Sequence, residues 1–225
     1  MIRHLLQLIW NQRKQNAWLW AELLLVSVFL WFLVDYLYVM GRTYTAPLGF
    51  DIRHTYSIVI SSLSERSPDY IPKEKRERPD GVHLLTALDR IRTYPGVESA
   101  CLTDGGMPYY MGSRNLVWRI DTLQVPCRYA FVTPEFFDVF RIYDKDGKTA
   151  SLKRAIEDNN SIVISADVET MNTGLSLLGQ KAYRGNVTDE IEETIRGISV
   201  PIRRHEYTKA EPNVYRACLL YTSDA

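Results

Sequence analysis

Histidines come first among the residues that could do chemistry, because an imidazole can act as a general base or bind zinc near neutral pH. The chain has four of them, which are far apart: His4, His54, His83 and His205. No HExxH motif places two on one helix face. A zinc site from the last three would need distant segments to converge, so we predict no histidine-based catalytic or metal site.

Two short motifs resemble ligand-binding loops. The sequence "DKDG" (144–147) resembles the start of a calcium loop, but the third ligand and the distal glutamate do not follow, so we predict a turn. The sequence "TDGGMP" (103–108) lacks the helix that follows a phosphate-binding loop, and we predict a mobile loop there. GxxxxGK[ST] and GxSxG are also absent. We therefore predict no catalytic, cofactor-binding or metal residue, and a protein that is not itself an enzyme.

Three cysteines, Cys101, Cys127 and Cys218, are too few and too scattered for a disulfide scaffold, and no CxxC occurs. If the region is extracytoplasmic, Cys101 and Cys127 could pair, but sequence does not determine connectivity. Both the bridged and the free state stay open.

The charge balance argues against a nucleic-acid partner. The 225-residue chain has 27 basic and 27 acidic residues, and its basic residues form no continuous stripe. DNA- and RNA-binding domains usually carry such a basic surface. We predict no nucleic acid among the partners.

Residues 16–40 form an apolar stretch. Most of the histidines, cysteines and motifs considered above follow it in the chain. Residues 17–39 would form a helix of roughly 35 Å, enough to cross a hydrocarbon core of about 30 Å. Glu22 and Asp35 fall near its two ends, where carboxylates could reach the headgroups. Aromatic residues flank both ends, as expected at membrane interfaces: Trp18, Trp20, Tyr36 and Tyr38.

Two alternatives compete with a membrane anchor. A cleaved signal peptide has a shorter apolar core and a small-x-small site soon after it, whereas Asp35 and Tyr36 follow here. A core helix seldom stays apolar on every face for this length. We predict a transmembrane helix over residues 17–40, in which Glu22 could also face a neighbouring helix.

Basic flanks predict the orientation. Arg3, Arg13 and Lys14 precede the helix, and only Arg42 and Arg53 follow it closely. The positive-inside rule therefore places the N-terminus in the cytoplasm and residues from about 42 outside, the periplasmic side of a bacterial inner membrane. Residues 1–16 fit either a cytoplasmic amphipathic helix on the lipid bilayer or a frayed basic segment.

The remaining chain alternates strands and helices. Predicted strands cover 56–63, 97–103, 114–121, 123–132, the start of 161–175, the end of 176–183, and 193–204 as a pair or a bent strand. Predicted helices cover 82–97 and 133–142, the latter with Thr133 as N-cap, and short helices follow in 144–160 and after the strand of 161–175. This order predicts an α+β fold: one N-terminal transmembrane helix, then a mixed α/β extracytoplasmic domain rather than a barrel or a bundle.

Several segments together resemble one family. The segments are "MIRHLLQLIWNQRKQN" (1–16), "LDRIRTYPGVESACL" (88–102), "YAFVTPEFFDVFRI" (129–142), "SIVISADVE" (161–169) and "IRGISVPIRR" (195–204). Their order and spacing are similar to those of the permeases of macrolide-export, lipoprotein-release and FtsX-like ABC transporters, with a MacB-like periplasmic core domain.

This resemblance implies a transporter subunit without catalytic residues. A partner ATP-binding subunit would hydrolyse ATP in the cytoplasm, and the permease, as a homodimer or heterodimer, would couple that to movement outside for export of a lipoprotein, peptide or drug. One alternative is a single-pass anchored module, a sensor or assembly factor, that binds a ligand or protein outside the cytoplasm. Another is a membrane-tethered enzyme, for which the sequence has no recognisable site.

The resemblance also implies boundaries. We expect a cytoplasmic segment at 1–16, the transmembrane helix at 17–40 and the periplasmic core domain at 41–217. Residues 218–225 resemble nothing in the family, whose members have three further spans. We expect these residues to be a truncated or non-native tail of a C-terminally truncated fragment.

Overall fold

The structure is a computed structural model that describes residues 3, 7, 10, 11, 14, 17–60, 63–72, 75, 80–110, 112, 114–171, 176–184 and 190–218. It divides into two compact units, Met1–Ala46 and Pro47–Ala225. Most of the predicted cytoplasmic segment (1–16) and of the tail (218–225) lies outside the described residues.

The first unit contains one long helix, α1 (Ala17–Thr45), of 29 residues. At 1.5 Å per residue it is about 43 Å long. It continues five residues beyond the predicted transmembrane segment, because "GRTYT" (41–45) contains no proline to end it and Thr45 Oγ1 hydrogen-bonds back to the Gly41 carbonyl at 3.0 Å.

The second unit has four helices and seven strands among its described residues. The helices are α2 (Asp80–Arg92), α3 (Phe136–Val139), α4 (Ala150–Ala155) and α5 (Ala166–Met171). The strands are β1 (Thr103–Asp104), β2 (Arg114–Ile120), β3 (Leu123–Val132), β4 (Ser161–Ser165), β5 (Lys181–Arg184), β6 (Ile191–Ser199) and β7 (Asn213–Ala217). The predicted α+β class, with an N-terminal apolar helix, is confirmed.

The sheet closes on itself. Its strand order is β1-β3-β2-β5-β6-β4-β7, and β7 pairs in turn with β3. Six of the described strands, β2 to β7, therefore form a ring. The short strand β1 pairs with the end of β3, beyond the residues of β3 that pair with β2. The β4–β6 and β3–β7 pairs are parallel and the other ring pairs are antiparallel. We expected a mixed domain that is not a barrel, and the closed ring shows that this part of the prediction was wrong.

One apolar cluster fills the ring. All six ring strands contribute to it, and because side chains alternate between the two faces of a strand, the contributors occupy alternate positions such as Ile162 and Ile164 on β4. Its members on the ring strands include Trp118, Ile120, Val125, Ile162, Ile164, Ile195 and Val214. Side chains alone fill so small a ring, so it is a packed core rather than a channel.

A second cluster covers the outside of the ring. Val163 and Tyr215 are next in sequence to inward-facing residues, so their side chains point outward, towards α3 and α4. Phe136, Phe137 and Phe140 around α3 are buried, and the Phe136 and Tyr215 ring centroids lie 5.5 Å apart. The apolar spacing of the segment 82–97 correctly predicted α2, in which Leu88 is buried.

The predicted cap of the short α3 helix was wrong. Thr133 Oγ1 makes no cap hydrogen bond; instead it accepts the Leu102 N–H at 3.2 Å, while the Thr133 N–H donates to the Leu102 carbonyl at 3.0 Å. This completely buried threonine joins the segment before β1 to the end of β3. A long-range partner therefore uses the hydroxyl that local spacing assigned to the helix.

Two predicted strands were wrong or too long. Residues 56–60 form no strand, and Tyr56 and Val59 are each 86% exposed. Of the strand predicted at 97–103, only Thr103 belongs to one. β-branched residues raise strand propensity, but a strand also needs a neighbour with which to pair, and no described strand pairs with 56–60.

The end of the domain also differs from the prediction. The segment 193–204 supplies one strand, β6, which begins at Ile191 and ends at Ser199 before Pro201. The strand β7 was not predicted at all. The other predicted strands at 114–121, 123–132, 161–165 and in 176–183 are confirmed.

Candidate functional site

The helix α1 presents an apolar surface that nothing in its own unit covers. None of its residues is buried, and its most apolar 18-residue window has a mean hydropathy of 2.2. Leu25 is 68% exposed and Trp31 is 76% exposed. The core helix of a soluble domain buries most of such a surface. The helix is therefore long and apolar enough to cross a membrane.

The polar groups of α1 are few. The Ser27 hydroxyl donates to the Leu23 carbonyl at 2.7 Å, so this polar group is satisfied within the helix, as an apolar environment requires. Glu22 and Asp35 are 13 positions apart, which corresponds to about 20 Å along the axis. That separation is shorter than the hydrocarbon thickness of about 30 Å, so both carboxylates cannot lie at opposite interfaces of one bilayer.

The later histidines lie on different elements. His54 has a positive φ of 62° in an exposed turn, and His83 is exposed on α2. The Nδ1 atom of His205 accepts the Tyr207 N–H at 3.2 Å, which uses this nitrogen within its own loop. His4 lies outside the described residues. No group of three potential metal ligands occurs among the residues that the structure describes.

The cysteines that could have paired are free and lie on opposite sides of the sheet. Cys127 belongs to the cluster inside the ring, whereas Cys101 packs against the outer cluster. Burial is the main reason why the pKa of each thiol is raised to about 12. At Cys101 the Glu135 carboxylate acts in the same direction as burial, and the Arg92 guanidinium opposes it. Neither thiol has the low pKa of a reactive cysteine.

The calcium-like motif is a turn, as predicted. The Gly147 N–H donates to the Asp144 carbonyl at 3.2 Å. The Asp144 side chain accepts the N–H groups of Asp146 and Lys148 at 2.9 and 2.8 Å and the Ser151 hydroxyl. Its carboxylate stabilises the loop and the start of α4, and does not face an open coordination site.

The glycines of "TDGGMP" have a packing role. Gly106 has a φ of +70°, and a Cβ added to it would lie 2.5 Å from the Ala130 Cβ. The close approach of this loop to β3 therefore requires glycine.

A buried charge cluster at one end of the ring escaped the sequence analysis. The Glu193 side chain is 1% exposed, and one of its oxygens accepts hydrogen bonds from Arg184 Nε at 3.0 Å and from Arg216 Nη2 at 2.5 Å. Its other oxygen accepts Trp118 Nε1 at 3.1 Å. The Arg216 guanidinium also lies 5.3 Å from the Phe131 ring centroid. The sequence did contain one signal for this cluster. On each of two strands, Ile191–Ser199 and Asn213–Ala217, a charged residue occupies a position whose side chain points into the ring.

This cluster joins four strands of the ring: β2, β5, β6 and β7. Its charged groups are partly desolvated, and burial is the main reason why the pKa of Arg216 lies below its ordinary value. Glu193 opposes that effect by attracting the guanidinium. The geometry is that of a buried ion pair with an added cation, and it contains no nucleophile or open cavity.

Comparisons with known proteins can now be added. No family model and no curated protein matches the chain. Among solved structures, the chain is similar to the periplasmic region of MacB from Actinobacillus actinomycetemcomitans, with 10% identity, a TM-score of 0.42, and 59% of this chain and 54% of that chain covered. The chain resembles MacB-like periplasmic domains.

Two further solved structures are similar to the chain. One is a domain of a proposed permease protein from Porphyromonas gingivalis, with 20% identity, a TM-score of 0.43, and coverage of 59% of this chain and 50% of that chain. The other is the extracellular domain of the ABC-type transporter YknZ from Gram-positive bacteria, with 14% identity, a TM-score of 0.43, and coverage of 61% and 64%. The chain thus spans between half and two thirds of the length of these structures.

Proposed function

We propose that this chain is the first membrane span and the extracytoplasmic domain of a permease subunit of an ABC transporter. Its N-terminus lies in the cytoplasm of a bacterium and its α/β unit lies in the periplasm. The observation that carries the proposal is the uncovered apolar surface of α1 with its two acids. The order of the family-like segments on both sides of α1 supports it.

The two acids favour a helix that contacts other protein over an isolated anchor. With Glu22 at one interface, a core of about 30 Å ends some 20 residues later, so Asp35 lies within the hydrocarbon. With Asp35 at the other interface, Glu22 lies within it. Ionisable groups at such depth usually face another helix or a water-filled space. A permease with several spans provides these neighbours.

The mechanism is a mechanical one. A partner subunit binds and hydrolyses ATP in the cytoplasm, and the change in its shape moves the membrane helices of a permease dimer. The helix α1 has no internal proline between Ala17 and Thr45 and is hydrogen-bonded as one element, so it can act as a stiff rod. The periplasmic unit then changes position during export of a lipoprotein, peptide or drug.

A membrane test addresses the anchor itself. The full chain is expressed in a bacterium, and membranes are washed with alkaline carbonate. The chain should stay with the membrane, whereas Leu30→Arg should release it, because a central arginine costs about 2.5–3.5 kcal/mol on insertion scales. The control is Tyr44→Arg, near the end of α1, which should stay integrated. Release of the unmodified chain would refute a spanning anchor.

A second experiment tests the transporter role. The reading frame downstream of residue 225 should encode three apolar spans of about 20 residues each, near a gene with a P-loop motif. The reconstituted complex should hydrolyse ATP, and Glu22→Leu should impair its assembly, with Glu65→Leu in the extramembrane unit as control. A stop codon directly after Ala225 would instead support the single-pass binding module. An unaffected complex would remove the assembly role of Glu22.

A further inference from the structure

A cleft on the outside of the ring is lined by arginines that the proposed function does not use. Its volume is about 300 Å³. It lies between the β2–β3 hairpin and the segment that leads into β7. The lining residues are Asn115, Pro126, Arg128, Arg204, Glu211 and Pro212.

The positive charge of this cleft is only partly neutralised. Arg128 Nη1 and Arg204 Nη2 approach the same Glu211 oxygen, at 3.9 and 3.5 Å. Both distances exceed the 2.7–2.9 Å of a charge-assisted hydrogen bond. Two guanidinium groups and one carboxylate leave one net positive charge, and Glu211 itself is 43% exposed.

Both guanidinium groups also retain unused donors. The Nε atoms of Arg128 and Arg204 are buried and have no hydrogen-bond acceptor among the residues that the structure describes. The side chains are only 13% and 20% exposed. Burial lowers the pKa of Arg128, the charge of Arg204 lowers it further, and Glu211 opposes this effect. These Nε atoms are too buried to contact a ligand in the cleft, so an anion there would offset the charge of the two guanidinium groups rather than satisfy the Nε donors.

The backbone around the cleft holds these groups in place. The Arg128 N–H donates to the Pro212 carbonyl at 2.9 Å, which joins β3 to the opposite wall. The Arg204 carbonyl accepts the Tyr109 N–H at 3.1 Å. Both arginines therefore project from fixed backbone positions, and binding would not require that a loop be ordered first.

We propose that this cleft binds a phosphate group, carried either by a small water-soluble molecule or by a lipid headgroup. The guanidinium fork matches phosphate geometry and can donate two parallel hydrogen bonds. A phosphate offers three or four oxygens in different directions and can accept from both guanidinium groups at once, whereas the carboxylate of Glu211 approaches each of them only to 3.5 Å or more. Phosphate therefore fits the arrangement better than a second carboxylate.

The test uses the full chain in detergent micelles and a phosphate-free buffer. Inorganic phosphate is titrated and its binding is followed by calorimetry and by ³¹P resonance broadening. Each of Arg128→Gln and Arg204→Gln should weaken binding by about tenfold or more, because hydrogen bonds to charged groups are the strong ones. Arg119→Gln is the matched control, since Arg119 lies on β2 and pairs with Glu190.

Two further variants separate binding from a structural role. Glu211→Gln removes the competing carboxylate and should tighten phosphate binding several-fold, a gain that a purely structural cluster would not show. Arg128→Lys keeps the charge without the fork and should bind more weakly than the unmodified chain. Tighter phosphate binding by Glu211→Gln cannot result from loss of folding, so this variant tests the proposal even if an arginine variant does not fold.

Parallel titrations identify the source of the phosphate. Saturable binding of inorganic phosphate supports a water-soluble ligand, and binding of short-chain phosphatidic acid alone supports a lipid headgroup. If acetate binds as tightly as phosphate, the assignment to phosphate is wrong. The absence of saturable binding of either phosphate probe, or an equal loss in Arg119→Gln, would overturn the proposal.

Discussion

At the scale of single residues, Glu193 has the largest expected effect. Breaking a buried ion pair by removing one partner typically costs about 3–5 kcal/mol, because the other charge remains buried. We expect this loss in the free energy of unfolding of Glu193→Gln, since Arg216 and Arg184 would lose their shared acceptor. Urea denaturation of the full chain, followed by Trp fluorescence, measures it.

The neighbouring residue provides the control for this prediction. Glu192 lies on the same strand as Glu193, and at the surface it pairs with Lys181 of β5 at 2.7 Å. Exposed pairs contribute about 0–1 kcal/mol, so Glu192→Gln should change the unfolding free energy little. Equal effects of the two substitutions would show that the buried cluster does not stabilise the ring.

Glu169 makes stability depend on pH. Burial alone would raise its pKa, but hydrogen bonds from Lys145 and from the Leu177 N–H, the latter at 3.0 Å, hold the pKa below its usual value of 4.5. A carboxyl group whose pKa falls on folding stabilises the protein above its unfolded pKa and loses that contribution as pH falls through the folded pKa.

The substitution Glu169→Gln should therefore destabilise the chain at pH 7 and have a smaller effect as the pH falls below about 4.5. Denaturation curves of both proteins between pH 7 and pH 3 test this. Asp146→Asn, at an exposed position in the turn before α4, is the control. A difference between the two proteins that stays constant with pH would contradict the proposed ionised role.

At the scale of elements, the contact between β6 and α4 leaves no room for a side chain. A Cβ on Gly197 would lie 2.9 Å from Val163 Cγ2 and 3.1 Å from the Ala155 Cβ. Valine is stiff at χ1 and cannot turn away at low cost. Overpacking of this kind costs about 1–3 kcal/mol, so Gly197→Ala should lower the unfolding free energy by that amount.

Thermal unfolding measures this effect, and Gly41→Ala is the matched control. Gly41 is in the helix α1, and apart from its chain neighbours and the backbone of that helix no described atom lies within 4 Å of a Cβ placed on it. That variant should leave the unfolding of the extramembrane unit unchanged. A neutral Gly197→Ala would mean that α4 can move away from the sheet without loss.

Elements with strong local patterns could be predicted, and those that depend on distant pairing could not. The β2–β3 hairpin, β4 and α2 have alternating or helical apolar spacing, and they formed as expected. Residues 56–60 have the same β-branched character, yet without a neighbouring strand they remain exposed. β7 is only five residues long, and its pattern became meaningful only between β3 and β4.

The features of the candidate site also divide into those that local sequence predicts and those that depend on distant pairing. The apolar length and aromatic ends of α1 are local features, so the sequence was enough to predict a helix that can span a membrane. Arg128 and Arg204 are 76 positions apart, and no spacing rule connects them. Glu193 and Arg216 were equally hidden, because their pairing depends on which strands close the ring.

At the scale of the whole molecule, ring closure determines which parts open together. β7 is near the end of the described chain, where fraying is common. Here it pairs on both sides, with β3 and with β4. Its amides should therefore exchange with solvent as slowly as those of β4, through global unfolding only.

Hydrogen exchange followed by mass spectrometry tests this prediction, with residues 56–60 as an exposed and rapidly exchanging reference. The peptide that contains Tyr215 should show the same protection as the peptide that contains Val163. Faster exchange in the Tyr215 peptide would mean that the ring opens at β7 before the rest of the domain unfolds.

The position of β7 has a consequence for how the chain is made. During synthesis, β3 emerges some 80 residues before the strand that completes its second edge. For that interval the nascent chain presents an unpaired strand edge, the kind of surface that promotes association between chains. Closure of the ring must therefore wait for β7, and a ribosome that stalls between β6 and β7 would leave a product prone to aggregation.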